Sequence, residues 1–124
     1  MQLEPKRFAD AIALFPHGRI DHATADDFRA ALTPHLASCV AGGDRLVLDF
    51  SGVEYISSVG LRVLILASKQ VKKQGGALAV CGLQPVVREI FEISRFNLVL
   101  DVFPALREAL AKLSPPALAA FDTV

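Results

Sequence analysis

The chain has 124 residues, of which 52% are apolar and 21% are charged. This length suits one compact domain, and this share of apolar residues excludes a disordered chain. The 13 basic and 13 acidic side chains cancel, which excludes a strongly basic surface that would attract nucleic acid or an anionic membrane. We therefore expect partner recognition to depend on a local surface, with neither nucleic acid nor membrane as a partner.

The amino-terminal residues predict two strands. The opening segment MQLEPKRFAD brings charges early and contains no apolar run, so we expect no secretory signal and a cytoplasmic protein. Residues 11–15 have the apolar pattern of a strand, and residues 2–8 that of a weaker one. Pro5 confines this weaker strand to the edge of a sheet, because proline cannot donate a ladder hydrogen bond.

Residues 21–40 predict the first helix. Its apolar side chains recur at helical spacing, and Thr24 followed by Asp27 indicates a capping arrangement at its start. Pro34 lies inside the pattern and removes one backbone hydrogen bond. We therefore expect a kink or two short helices here.

The middle of the chain predicts a strand, a helix and a second strand. Residues 45–50 and 76–82 are short apolar runs typical of buried strands. Between them, the segment from Ser58 to Gln74 has helical periodicity and ends at a glycine pair, a common helix stop. This order predicts a right-handed parallel crossover.

The carboxyl-terminal part continues the alternation of helices and strands. A helix is predicted to start at Pro85, and residues 97–100 predict a strand. A final helix carries apolar residues at helical spacing: Phe103, Leu106, Leu110 and Leu113. The tail SPPALAAFDTV has two prolines and no clear period, so we expect a domain over residues 1–113 and a mobile or loosely docked extension over 114–124.

Motifs for catalysis and for ligand binding are not found. The segment YISSVG has only the last glycine of the hydrolase motif G-x-S-x-G, and the glycine pairs lack the G-K-[ST] ending of a phosphate-binding loop. Cys39 and Cys81 have no histidine or second cysteine nearby, so we predict buried core residues rather than zinc ligands. Three histidines are scattered along the chain: His17, His22 and His35. We therefore predict that the protein is not an enzyme and has no catalytic, cofactor or metal site.

Two adjacent serines, Ser57 and Ser58, stand at the junction before the central helix. A serine at such a position commonly caps the helix by accepting a backbone N–H hydrogen bond. A phosphate there would add about −1.5 to −2 charges at the positive end of the helix, where the fold could tolerate them. The two roles are compatible, because a hydroxyl can cap the helix until it is modified.

The order of Asp21, LDFSGV, SSVGL and PVVREIFEISRF resembles the STAS domain family and, within it, the bacterial anti-sigma factor antagonists. The resemblance covers roughly residues 8–113 and implies an α/β fold, with a mixed four- to five-stranded β-sheet flanked by about four helices. It also implies that the chain binds an anti-sigma factor that is itself a serine kinase and so frees a sigma factor. Phosphorylation by the kinase then ends the interaction, and a PP2C-type phosphatase resets it. ATP belongs to the kinase, so the chain needs no cofactor.

The resemblance also indicates which residues form the site. The usual motif is Asp-Ser-Ser-Gly or Asp-Ser-Thr-Gly, and when it is aligned on Gly60, Ser57 replaces the aspartate and Val59 replaces the second hydroxyl. Ser58 is therefore the first candidate for phosphorylation and Ser57 the second. The implied partner-binding residues are Asp21, Ser57, Ser58, Val59, Gly60 and Arg62.

Two alternatives remain open at this point. Asp21 has a second interpretation, in which it serves only the start of a helix and local turn bonding. The function of the whole chain also has a second interpretation, in which it is a STAS interaction module of a transporter or sensory assembly without a sigma-regulatory role. The valine at position 59 and the missing aspartate favour this second function.

Overall fold

The computed structural model describes residues 3–123. Within them, the chain forms seven strands, five α-helices and one 3-10 turn at Phe96–Leu98. The strands are β1 (Lys6–Phe8), β2 (Ala11–Leu14), β3 (His17–Ile20), β4 (Arg45–Asp49), β5 (Gly52–Ile56), β6 (Ala77–Cys81) and β7 (Asp101–Phe103). The helices are α1 (Ala25–Ser38), α2 (Ser58–Lys73), α3 (Pro85–Ile93), α4 (Leu106–Leu113) and α5 (Pro115–Asp122).

Five of the strands form one mixed sheet, in the order β1-β2-β4-β6-β7. β1 is antiparallel to β2, whereas the other three neighbouring pairs are parallel. β3 and β5 pair with each other in parallel as a separate two-stranded sheet. The α/β fold with a mixed sheet is thus confirmed, and the second sheet and the fifth helix are additions to it.

Alternate residues of the central strands face opposite sides of the five-stranded sheet. In β4, Leu46 and Leu48 belong to the larger core, which also contains Phe28 of α1, Leu64 of α2 and Phe91 of α3. Val47 lies between them in β4 and faces the other way. It belongs to the smaller core, together with residues of α4 and α5: Ala109, Leu110 and Ala117. The helices α1 to α3 therefore cover one face of the sheet, and α4 and α5 cover the other.

The two-stranded sheet contains an irregularity that sets its register. The pairing shifts between Gly18 and Arg19, so that Arg19 stands opposite Tyr55 and Ile20 stands opposite Ile56. Both isoleucines are buried, whereas Arg19 is exposed. Sequence reasoning missed β3 because its only buried residue is Ile20, which leaves no apolar alternation to detect.

The helix α1 runs from Ala25 to Ser38 without a break, although Pro34 lies inside it. The expected division into two short helices is therefore wrong. Phe28, Leu32 and Leu36 are buried at four-residue spacing, and this apolar stripe packs the helix onto the core. Pro34 is exposed, so its ring points into solvent. The packing of the apolar stripe offsets the one backbone hydrogen bond that proline removes.

Residues 97–100 do not form the predicted strand. They belong to the 3-10 turn and the residues after it, and the strand β7 begins at Asp101. Phe96 and Leu100 are buried, whereas Leu98 and Val99 between them are exposed. The apolar run therefore follows the four-residue spacing of a turn rather than the alternation of a strand.

The tail predicted as a mobile extension contains the helix α5. The Ser114 hydroxyl caps this helix by accepting the Ala117 N–H at 3.2 Å and also donates to the Asp10 carboxylate. The ring of Phe121 packs against that of Phe8, with centroids 5.5 Å apart. Sequence reasoning missed the helix because its buried surface is made largely of alanine, which gives a weak hydrophobic period.

Candidate partner-binding site

The ends of β3 and β5 bring together two segments that are distant in sequence. The backbone N–H of Ser57 donates to the carbonyl of Ile20 at 2.8 Å. Asp21 follows Ile20 directly and therefore lies beside the serine pair, at the point where α1 and α2 both begin. This junction of strands and helices is the candidate site.

Ser57 has a structural role in this junction. It is the N-cap residue of α2, with extended backbone angles, and its hydroxyl accepts the N–H of Gly60 at 3.3 Å. This bond satisfies one of the backbone donors that the first turn of a helix leaves free. The predicted capping role therefore belongs to Ser57 rather than Ser58.

Ser58 is the first residue of α2, and its side chain is exposed. Its hydroxyl makes no hydrogen bond with any residue of the described range 3–123. Val59 is 44% exposed, and Arg62 is also exposed one helical turn further along. Because Ser58 and Arg62 are four residues apart, their side chains lie on the same side of the helix.

Gly60 differs from the other predicted site residues because it is buried. A Cβ atom built on it would lie 2.8 Å from Ile20 Cγ2, 2.8 Å from Ile56 Cγ1 and 3.0 Å from the Ile20 carbonyl oxygen. A side chain at position 60 would therefore force these neighbouring atoms to shift. Gly60 therefore lets α2 approach the two strands closely, and it positions the loop rather than presenting a side chain to a partner.

Asp21 is held by the turn that starts α1. Its carboxylate accepts the N–H of Ala23 at 3.0 Å. This hydrogen bond is the main reason that the pKa of Asp21 lies below its ordinary value, since it favours the charged form. The resulting contribution to stability is complete above the ordinary aspartate pKa and is lost as the pH falls below it toward the lowered value.

Thr24 acts differently from the predicted capping arrangement with Asp27. Its hydroxyl donates to the carbonyl of Arg19 at 2.8 Å and accepts the N–H of Asp21 at 3.0 Å. The threonine side chain makes no capping bond to α1, so that prediction is wrong. Thr24 instead ties the end of β3 to the turn that carries Asp21.

Sequence reasoning missed two residues of this surface, Arg19 and Tyr55. The Arg19 guanidinium carbon lies 4.4 Å from the centroid of the Tyr55 ring, and its Nε lies 3.6 Å from Asp21 Oδ2. A signal does exist, because Arg-Ile-Asp and Tyr-Ile-Ser both alternate about a buried isoleucine. It becomes readable only when both segments are recognised as paired strands.

The remaining chemistry-bearing residues do not converge on this junction. Cys39 and Cys81 are buried as predicted, and burial raises the pKa of the Cys81 thiol to about 12. Among residues 3–123, no group of three or more His, Cys, Asp and Glu side chains is arranged to hold a metal ion. In the same range, no helix is both long enough and apolar enough to span a membrane.

The sequence pattern of the STAS domain family matches residues 2–109. The chain belongs to this family. BtrV of Bordetella bronchiseptica, a candidate anti-sigma factor antagonist, is 43% identical to this STAS domain over 103 residues, which are 82% of this chain and 84% of BtrV.

Solved structures show the same fold. The crystal structure of an anti-sigma factor antagonist from Mycobacterium paratuberculosis matches this STAS domain with a TM-score of 0.79 and 23% identity, over 90% of this chain and 92% of that one. The phosphorylated form of the Bacillus cell fate determinant SpoIIAA matches with a TM-score of 0.64 and 14% identity, over 90% and 99% of the two chains. The three proteins named above are described as anti-sigma factor antagonists, BtrV as a candidate one.

The different positions of the two serines lead to a first prediction. Ser57→Ala removes the cap of α2 and should lower the free energy of unfolding by about 1 kcal/mol. Ser58→Ala alters an exposed hydroxyl without a partner and should change it by less than about 0.5 kcal/mol. Urea unfolding of both variants measures the difference, and equal losses would contradict the assignment of the cap to Ser57.

Proposed function

We propose that this STAS domain is an anti-sigma factor antagonist whose binding to an anti-sigma factor ends when Ser58 is phosphorylated. One observation carries the proposal: the Ser58 hydroxyl is exposed and makes no hydrogen bond within residues 3–123, at the first position of α2. A kinase could therefore reach it without unfolding the domain.

The surroundings of Ser58 favour modification there over modification at Ser57. The first turn of α2 contains no acidic residue, so a phosphate at Ser58 would meet the positive end of the helix without repulsion from that turn. Ser57 is half-buried, and its hydroxyl oxygen already accepts the Gly60 N–H, so a kinase reaches it less readily than it reaches Ser58. The fold would thus persist with Ser58 phosphorylated while the surface gained negative charge.

The proposed partner is an anti-sigma factor that is also a serine kinase, and a PP2C-type phosphatase would reset the switch. The STAS domain then works as a binding protein in the cytoplasm, and its phosphorylation state decides whether the sigma factor is released. The SpoIIAA structure supports this mechanism, since a protein of the same fold has a phosphorylated form.

Incubation with MgATP and a cognate anti-sigma factor that is a serine kinase tests the proposal. We expect the intact mass to rise by one phosphoryl group, and peptide mapping to place it on Ser58. Ser57→Ala should still be modified, because it retains the Ser58 hydroxyl, whereas Ser58→Ala should not. Isothermal titration should show that the unmodified domain and Ser58→Ala bind the kinase more tightly than the phosphorylated domain does.

Two outcomes would contradict the proposal. Modification that persists in Ser58→Ala would move the switch to another residue. Failure to bind any anti-sigma factor, together with co-purification with a transporter or sensory complex, would favour the alternative of an interaction module without a sigma-regulatory role.

A further inference from the structure

Arg19 is held by two neighbouring side chains and is still open to solvent. Its guanidinium stacks over the ring of Tyr55 at 4.4 Å, and its Nε lies 3.6 Å from Asp21 Oδ2. The side chain nevertheless keeps 59% of its surface exposed. Its terminal Nη groups make no hydrogen bond with residues 3–123, so they are available to a partner.

The position of Arg19 is continuous with the candidate site. Arg19 and Tyr55 are paired residues of β3 and β5, so their side chains share one face of the two-stranded sheet. Asp21 and Ser57 follow two residues later on the two segments and fall on the same face, since strand residues alternate. The buried residues Ile20 and Ile56 occupy the opposite face.

Stability of the fold does not account for this arrangement. An ion pair between exposed side chains contributes little to stability, and the stacked guanidinium covers a ring that is itself only half-buried. Arginine and tyrosine are, however, enriched among the residues that dominate binding energy at protein interfaces. A side chain already fixed in place also loses less conformational entropy when a partner binds.

Resting on the function proposed above, we propose that Arg19 is a binding hot spot for the anti-sigma factor and donates two parallel hydrogen bonds to a carboxylate of that partner. The planar guanidinium matches a carboxylate in geometry, and the Tyr55 ring and Asp21 orient it. Arg62, exposed one turn after Ser58 and on the same side of α2, adds a second cation near that serine.

This assignment also gives a physical reason for the switch. A phosphate on Ser58 would place about −1.5 to −2 charges on the surface where the partner's carboxylate docks. It would repel that carboxylate and compete with it for the arginine side chains. Phosphorylation would then weaken binding without any change in the fold.

Isothermal titration with the unphosphorylated domain and the anti-sigma factor tests the hot spot. Arg19→Ala should weaken binding about tenfold or more. Arg19→Lys should restore only a small part of the lost affinity, because lysine lacks the planar guanidinium that donates two parallel hydrogen bonds. Arg29→Ala is the matched control, since Arg29 of α1 is 64% exposed and pairs with Asp26 at 3.4 Å but has no stacking ring. It should stay within about twofold of the wild type. Thermal unfolding followed by circular dichroism checks that each variant is folded.

The outcomes separate this inference from the function on which it rests. If Arg19→Ala binds within twofold of the wild type while Ser58→Asp binds more weakly, the hot spot is rejected and the proposed function stands. If Arg29→Ala weakens binding as much as Arg19→Ala, the effect is one of general charge, and the hot spot is again rejected. If the wild-type domain does not bind the anti-sigma factor, both are rejected.

Discussion

Replacing Phe50 with alanine is expected to lower the free energy of unfolding by about 3–5 kcal/mol. Phe50 is fully buried between β4 and β5. Its ring meets those of Phe28 and Phe91 edge to face, each with centroids 6.4 Å apart. The substitution therefore removes buried apolar area and two favourable aromatic pairs, and it leaves a cavity where α1, α3 and the strands meet.

Urea unfolding monitored by circular dichroism measures this loss. Phe121→Ala is the matched control, because that ring is only partly buried and forms one aromatic pair, with Phe8. We expect it to cost about 1–2 kcal/mol. If Phe50→Ala proves too unstable to purify, Phe50→Leu should show a smaller loss. Equal losses at Phe50 and Phe121 would contradict the central place of Phe50 in the core.

Replacing Gly60 with alanine is expected to destabilise the domain by about 1–2 kcal/mol, although alanine is the better helix former. The better propensity would contribute at most about 1 kcal/mol, because Gly60 lies in the first turn of α2 rather than in its interior. The new methyl group, however, would lie 2.8 Å from atoms of Ile20 and Ile56, and overpacking of this kind costs about 1–3 kcal/mol or more where the backbone must move. We expect the same variant to bind the anti-sigma factor more weakly, because the serine loop would be displaced.

A double-mutant cycle with Ile56→Ala tests whether this contact is the cause. Ile56→Ala removes the Cγ1 atom that the new methyl would strike, so the two substitutions together should cost less than the sum of the separate losses. Strict additivity of the unfolding free energies, measured in urea, would show that Gly60 acts through something other than its contact with Ile56.

The parts of the fold that sequence reasoning predicted are those with a strong apolar period or a clear boundary residue. α2 was predicted from Ser58 to Gln74, and the structure places it at Ser58–Lys73. Its buried face repeats at helical spacing, and a glycine pair follows its end. α3 was predicted from Pro85, and the structure begins it there, since proline at the first position of a helix is a local signal.

The parts that were missed depend on contacts between distant residues. β3 and β5 hold their positions by pairing with each other and by burying an isoleucine each, and neither signal is visible in one segment alone. The docking of α5 depends on Ser114 meeting Asp10 and on Phe121 meeting Phe8. Secondary-structure propensity and hydrophobic periodicity describe a segment in isolation, whereas β3, β5 and α5 are stabilised by tertiary packing.

The candidate site shows the same division. The serine pair and Asp21 could be located from motifs in the sequence, and the structure brings them together at one junction. The assignment of the cap to Ser57 needed the position of one hydroxyl oxygen relative to the Gly60 N–H. Arg19 and Tyr55 could be found only from the register of the two strands.

The register shift between Gly18 and Arg19 limits where the chain can change length. Because strand side chains alternate, one added residue after the shift would turn Arg19 and Asp21 toward the interior and Ile20 toward solvent. The loop around Gly42 lies outside this sheet, so an added residue there leaves the register of β3 and β5 unchanged. Ala41 and Gly42 are exposed, although the Ala41 N–H donates to the Gln74 carbonyl at 3.0 Å. A fluorescent reporter or affinity tag inserted at that loop would therefore leave the binding surface intact.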